Sequence, residues 1–283
     1  VYEEAAPPGP VRDVARCVWR SVSAVPKRIV PDGCVDLVAG DGEVFVAGPD
    51  TSAWLSVTSP GAVLTGVRFI PGRAAAVLGV PADELRDRRV PLGELWGREG
   101  ELAAERLLAG ELSPAQAVAA RLPEVPPPDP AVAALIGRLA AGATRVAEAA
   151  AGLARAGTDG LAADRTDAAA MLARRVSNPA EVAAARIEDA AASLAVGERR
   201  LRRRFVQAVG YGPATYLRVS RFQRAVTLAP RVAGLAALAA AAGYADQAHL
   251  SRDCRALTGL TPRAYFRGSS TVDATGRDRL RSA

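Results

Sequence analysis

The stretch Gly210-Tyr-Gly-Pro-Ala-Thr-Tyr-Leu-Arg218 decides the reading of this chain, because Gly259-Leu-Thr-Pro-Arg-Ala-Tyr-Phe-Arg267 repeats it at an offset of 49 residues. Glycine, proline, tyrosine and arginine return in one register. The repeat extends backwards: Leu201 and Arg203 return as Leu250 and Arg252, and Ala190–Ala192 as Ala239–Ala241. Alanine coincidences come easily in an Ala-rich chain. G-x-x-P-x-x-Y-x-R held in register with L-x-R does not, so one supersecondary unit occurs twice.

Each copy is predicted to be helix, tight turn, helix. The first runs through Ile187–Leu194, a turn at Ala195–Gly197 and Glu198–Ala208; the second through Leu235–Ala242, Gly243–Ala245 and Asp246–Leu257. Small alanines on each first helix let the second cross closely. Gly197 and Asp246 stand at N-cap positions. Leu201 with Phe205, and Leu250 with Cys254, are four residues apart and turn to the core. The other face exposes Arg199, Arg200, Arg202, Arg203 and Arg204 in one helix. In the second it exposes Gln247, Ala248, Ser251, Arg252 and Arg255, with His249 beside them. Arg can bond guanine and Gln adenine in a bidentate manner, while surplus Arg pairs with phosphates. A helix over Pro213–Leu228 would hold the two reading helices about one DNA turn, ~34 Å, apart. Double-stranded DNA is therefore the expected partner.

Charge agrees. The net charge is +6, but residues 187–283 hold 16 Arg against 7 acidic residues, whereas residues 1–186 are mildly acidic. A basic third on an acidic front is the footprint of a nucleic-acid binder. Only Lys27 is lysine, so arginine content alone proves little.

Composition excludes other classes. Of 283 residues, 49% are hydrophobic and 23% charged, which is globular composition. No long uncharged apolar run predicts a membrane span, and no apolar segment follows a basic start, so no signal peptide is expected. Cys17, Cys34 and Cys254 are scattered and odd in number, which fits a reducing compartment. With His249 the single histidine, no metal site and no cofactor are expected, and the chain is not read as an enzyme.

In front of the repeat, Arg16–Val22, Cys34–Val38, Glu43–Ala47 and Val63–Phe69 are candidate strands separated by turn-forming Asp-Gly and Pro-Gly pairs. Gly72–Gly79, Leu92–Trp96, Glu101–Leu108 and Pro114–Leu122 read as short helices. Pro123–Pro130 carries five prolines in eight residues and reads as a linker. Ala131–Ala156 and Leu161–Val176 are Ala-rich helix formers, either a dimerisation element or a spacer. The fold class is α+β: a β-rich front over 1–122, a linker with helices over 123–180, a helical domain over 181–268 and a flexible tail over 269–283.

Residues 187–268 resemble the double helix-turn-helix domain of AraC/XylS transcription regulators. The resemblance rests on Leu201–Phe205, Gly210–Pro213, Arg221–Ala225, Ala239–Tyr244, Asp246–Arg252 and Gly259–Pro262. It implies sequence-specific DNA binding by one monomer that inserts two helices into successive major-groove segments. By position, Arg199, Arg202 and Arg203, then Gln247, Ala248, Ser251 and Arg252, are the implied contacts. Gly197 stands where Ser is frequent and Cys254 where Phe is frequent. Pro31–Leu37, Gly66–Gly72 and Leu85–Leu92 resemble a sensor-like domain fused to such units, mainly in bacteria. That implies a cupin-like small barrel, a small-molecule effector or dimerisation function, a homodimer, RNA polymerase as a further partner and a cytoplasmic location.

Trp19, Cys34, Asp36, Trp54, Arg68 and Phe69 are the candidate effector pocket. Arg68 in an apolar strand needs a carboxylate, Asp36 first among them, or an anionic ligand. Two rivals stand beside the effector reading: a purely structural front domain, and a DNA-targeted alkylation-repair or redox-sensing protein that uses Cys34. Arg86, Arg88 and Arg89 read as part of a solvated mixed-charge turn.

Overall fold

The computed structural model describes residues 1–23, 25–140 and 179–268. Eight strands form the front: β1 (Tyr2–Ala5), β2 (Ala15–Val22), β3 (Lys27–Ile29), β4 (Asp36–Gly40), β5 (Glu43–Ala47), β6 (Trp54–Ser56), β7 (Val63–Phe69) and β8 (Arg89–Pro91). Six make an antiparallel sheet in the order β1-β2-β7-β4-β5-β8, and β3 pairs with β6 in a separate ribbon. With β1 and β8 as unjoined edges, the small barrel expected for this region is an open sheet.

Alternation along the strands sorts the sheet into two faces. Leu37, Ala39, Val44, Val46, Val67 and Phe69 are buried in one core cluster. They pack against α1 (Ala74–Leu78), α2 (Leu92–Leu108) and α3 (Pro114–Arg121). The other face carries Trp19, Ser21, Asp36, Val38, Phe45, Ala47 and Arg68 beside the ribbon. Asp36 and Arg68 sit opposite each other in the β4–β7 register. The helices expected at Leu92–Trp96 and Glu101–Leu108 form one element, broken at Gly97 by a φ of 57°. A capping box joins Ser113 and Gln116 at the start of α3.

Residues 130–140 form helix α4, and the remainder of the two Ala-rich helices expected over 131–176 lies outside the described residues, as does the tail. Ala131, Val132, Leu135 and Leu139 are buried in the C-terminal core. This part of the segment expected to be a dimerisation element or a spacer is therefore built into the helical domain. That domain continues as α5 (Pro179–Ser193), α6 (Glu198–Val209), α7 (Pro213–Leu228), α8 (Leu235–Ala242), α9 (Gln247–Thr258) and α10 (Pro262–Gly268). Its core holds Leu201, Phe205, Leu250 and Cys254, each 0% exposed, as the four-residue spacing requires. Phe205 meets Tyr216 edge-on at 5.8 Å, and Phe222 meets Tyr265 at 5.5 Å. Tyr216 thus packs on the reading helix α6 of its own unit, whereas its repeat counterpart Tyr265 packs on the connecting helix α7.

Candidate nucleic-acid interface and the cavity behind it

α6 buries Leu201, Phe205 and Val209 and leaves Arg199, Arg200, Arg202 and Arg203 exposed. Arg202 lies 3.9 Å from Glu198, a solvated i,i+4 pair of small energetic weight. Arg204 departs from the expected exposed set: it is half-buried and ion-paired with Asp129. Gly197 provides no side-chain cap, so the first amides of α6 lack that partner. Free amides at a helix start suit phosphate oxygen.

α9 starts more tightly. The Asp246 carboxylate accepts from the His249 amide at 2.6 Å. Gln247, Ala248, Ser251, Arg252 and Arg255 line one open depression on its outer face. Ser251 Oγ donates back to the Gln247 carbonyl at 2.8 Å.

His249 is a correction to the expected contact set. Its Nε2 accepts from Arg221 at 3.3 Å, and its ring meets Tyr244 edge-on at 5.1 Å. The side chain is 16% exposed and 3.9 Å from Asp253. Burial, then Arg221 and Arg252, push its pKa down, so it serves as a neutral packing and acceptor group. Helical rotation explains this: 249 adjoins the core position Leu250, on the flank of the outward face.

The front domain grips the far ends of both reading helices. The Ala82 amide donates to the Gln207 carbonyl at 2.7 Å, and the Ala53 amide to the Leu257 carbonyl at 2.8 Å. Arg28 Nη1 donates to the Thr258 carbonyl at 3.1 Å, and Gln223 Nε2 to the Pro31 carbonyl at 2.6 Å. Arg86 reaches the Gly210 carbonyl at 3.5 Å. Carbonyls in the last turn of a helix have no intrahelical donor, so the amides of the front domain serve as their caps. Gly210 ends α6 with a φ of 97°, and a Cβ there would lie 2.2 Å from Pro49 Cγ. Glycine meets both the left-handed backbone and the close domain approach.

Between the ribbon and the sheet lies a cavity of about 100 Å³, with Trp19, Cys34, Asp36, Trp54 and Arg68 in its walls. Phe69 is the exception among the expected pocket residues. It follows Arg68 in β7, points to the opposite face and is 0% exposed in the helix-covered core. Sequence reasoning missed Tyr2, Phe45, Asp32 and Asp50, which also line the cavity. The period-2 alternation of β5 was the signal for Phe45 and the turn before β4 that for Asp32; Tyr2 and Asp50 lie outside both.

Arg68 is paired internally. Its Nε lies 3.2 Å from Asp36 and 3.3 Å from Asp32, and its Nη1 3.4 Å from Glu4. Trp19 Nε1 donates to Asp36 at 2.8 Å, and Tyr2 OH to Glu4 at 2.9 Å. Gly66 lets the Trp19 ring lie on the sheet, since a Cβ there would be 2.4 Å from the ring. Against the cost of burial, Asp36 and Asp32 hold the Arg68 guanidinium above its ordinary value. Burial raises Asp36, with Arg68 pulling the other way. Asp50 is pushed up to about 6 by burial despite its bidentate partner Arg89, which stacks 4.0 Å over Trp54. Arg89 is therefore a wall-building residue and Arg86 an interface residue, neither simply part of a solvated turn. Burial, then Asp32, raises the Cys34 thiol far from the thiolate range.

Residues 190–268 match a family model described as a helix-turn-helix domain, and residues 3–91 one described as a domain of unknown function (DUF6597). No curated protein and no solved structure matches the chain. No helix among the described residues is long and apolar enough to cross a membrane. The C-terminal repeat, with its two outward basic helices, is thus an AraC-type helix-turn-helix domain of a DNA-binding transcription regulator, carried behind a front domain of unassigned role.

Proposed function

We propose that the protein reads a specific two-box operator, with α6 and α9 entering successive major-groove segments, and that a ligand in the front cavity alters this binding. The observation that carries the first half is the exposure of Arg199, Arg200, Arg202 and Arg203 on one helix and Gln247, Ala248, Arg252 and Arg255 on its counterpart. Arg203 and Arg252 occupy equivalent positions of the repeat. They are the paired readers, with neighbouring arginines on phosphates. Arg203→Ala and Arg252→Ala are each expected to weaken operator binding by ~1–3 kcal/mol and to relax preference only in their own box. Unchanged affinity in both variants would overturn the reading.

The second half rests on shared residues. Arg28 lines the cavity and holds the Thr258 carbonyl. Trp54 lines it next to Ala53, whose amide holds Leu257. A ligand that binds one arrangement of the ribbon better than another would change how firmly the end of α9 is held. A homodimer acting with RNA polymerase in a bacterial cytoplasm belongs to the same proposal. The rival with Cys34 as an alkylation-repair or redox centre is disfavoured by that thiol's burial and raised pKa.

A further inference from the structure

We infer that Arg221 and His249 form a latch that sets the roll of the second reading helix, α9, and so governs how sharply the second operator box is read. The inference rests on the two-box reading and adds positioning residues to it; neither side chain is offered as a DNA contact.

Arg221 comes from α7 and is 7% exposed. Its Nη1 donates to His249 Nε2 at 3.3 Å, and its guanidinium carbon lies 5.2 Å from the centre of the Tyr244 ring. Tyr244 belongs to the turn before α9 and meets the His249 ring edge-on. One arginine therefore bears on that turn and on the start of α9 together. The His249 amide is held in addition by the Asp246 carboxylate, so backbone and side chain of one residue are both fixed. Nε2 accepts when the imidazole is neutral with its proton on Nδ1. Burial, then Arg221 and Arg252, favour that neutral state.

The roll of α9 needs such a contact. Leu250, Cys254 and Leu257 bury one stripe of the helix. Apolar burial is non-directional and restrains rotation about the axis only weakly, whereas a hydrogen bond has a preferred line. A roll of about 10° moves a side-chain tip at the ~6 Å helix radius by about 1 Å. Recognition geometry tolerates about half of that. Gln247, Ala248, Ser251 and Arg252 stand on the outward face of the same helix and would be displaced with it.

The latch belongs to one unit. At the repeat offset of 49 residues, Tyr244 corresponds to Ala195 and His249 to Arg200, and both of those are exposed. Asp253 corresponds to Arg204, which pairs with Asp129 ahead of α4. The first reading helix is thus seated through the linker and the second through α7. Loss of the Arg221–His249 contact should act on one box only.

The test is selection of sites from random duplex DNA by the full chain, run on wild type, His249→Leu and His249→Gln, with melting temperatures alongside. The box relaxed by Arg252→Ala marks the second one. His249→Leu fills the space without an acceptor, whereas His249→Gln offers Arg221 an amide oxygen. In His249→Leu, base preference in the second box is expected to fall about tenfold and that in the first box to stay within about twofold. His249→Gln should restore most of the second-box preference. A merely structural role would weaken both boxes in step with the melting temperature, with no rescue by His249→Gln. That pattern, or an unchanged second box in His249→Leu, would overturn the inference. His249→Ala also removes the acceptor and takes the place of His249→Leu if the latter does not fold. Two boxes in wild type with an unchanged second box in the variant overturn the inference alone. A wild type that selects no two-box site overturns the two-box reading and the inference with it.

Discussion

The backbone amide of Ala53 donates to the carbonyl of Leu257 at 2.8 Å, tying the ribbon that roofs the cavity to the last turn of the second reading helix. The first reading helix is held in the same manner, through Ala82 and Gln207. Both contacts lie behind the basic faces, which stay open. The front domain thus bears on the orientation of the reading helices without covering what they read.

Arg28 reinforces the tie at Thr258. Arg28→Ala is expected to cost ~0.5–1.5 kcal/mol in global stability, the net worth of one hydrogen bond. Chemical denaturation measures this. The base preference of the variant should be unchanged, because Arg28 adjoins carbonyls at the helix end and no reading side chain. A shifted sequence logo would contradict the account.

Gly210→Ala tests the domain contact. A left-handed φ alone costs roughly 1–2 kcal/mol for alanine. Here the new Cβ would also press on Pro49 at 2.2 Å. The loss should therefore exceed that backbone cost of roughly 1–2 kcal/mol. Gly259→Ala supplies the control, because Gly259 has a similar φ of 73° and its Cβ would meet only Arg28 Nη1 at 3.9 Å. Equal melting-temperature losses in the two variants would count against the packed interface.

Asp50 gives a pH signature. Its folded pKa of about 6 lies above the ordinary carboxylate value of 3.8. The folded state then binds the proton more tightly than the unfolded chain. Its stabilising contribution is present below the unfolded value and is lost as pH rises through about 6. Wild type should gain stability relative to Asp50→Asn as pH falls from 7 to 5. A melting-temperature difference that stays constant over that range would show the shift to be absent.

Cys34 should be inert in the folded protein. It is 4% exposed, and burial keeps the thiol protonated. Iodoacetamide is expected to label it only when the chain unfolds, as mass spectrometry can follow, and Cys34→Ala should retain operator binding. Rapid native labelling at Cys34 would reopen the repair or redox alternative.

The helical third was legible because its information is local and doubled. The Gly and Pro residues that end and start helices recur with the apolar pairs, so Leu201–Phe205 and Leu250–Cys254 could be assigned to the core by spacing alone. β5 and β7 were legible for a similar reason, having clear alternation between turn residues. β1, β3, β6 and β8 are three or four residues long, too short to show a period. β3 and β6 exist through pairing such as Arg28 with Leu55, which no local pattern records.

The site divides in the same way. The Arg68–Asp36 pair was foreseeable from a charge in an apolar strand. Asp32 and Glu4, which share that arginine, come from a turn and from an edge strand. Phe69 shared a sequence run with Arg68 but not its face. The domain contact left no trace, since Ala53 and Ala82 contribute backbone amides that any residue except proline could supply.

The central claim is bipartite readout, and selection of binding sites from random duplex DNA by the full chain tests it most directly. The account predicts two conserved boxes with centres about 10–11 base pairs apart, one relaxed by Arg203→Ala and the other by Arg252→Ala. A single box sensitive to both substitutions, or salt-sensitive binding with no enriched sequence, would contradict it.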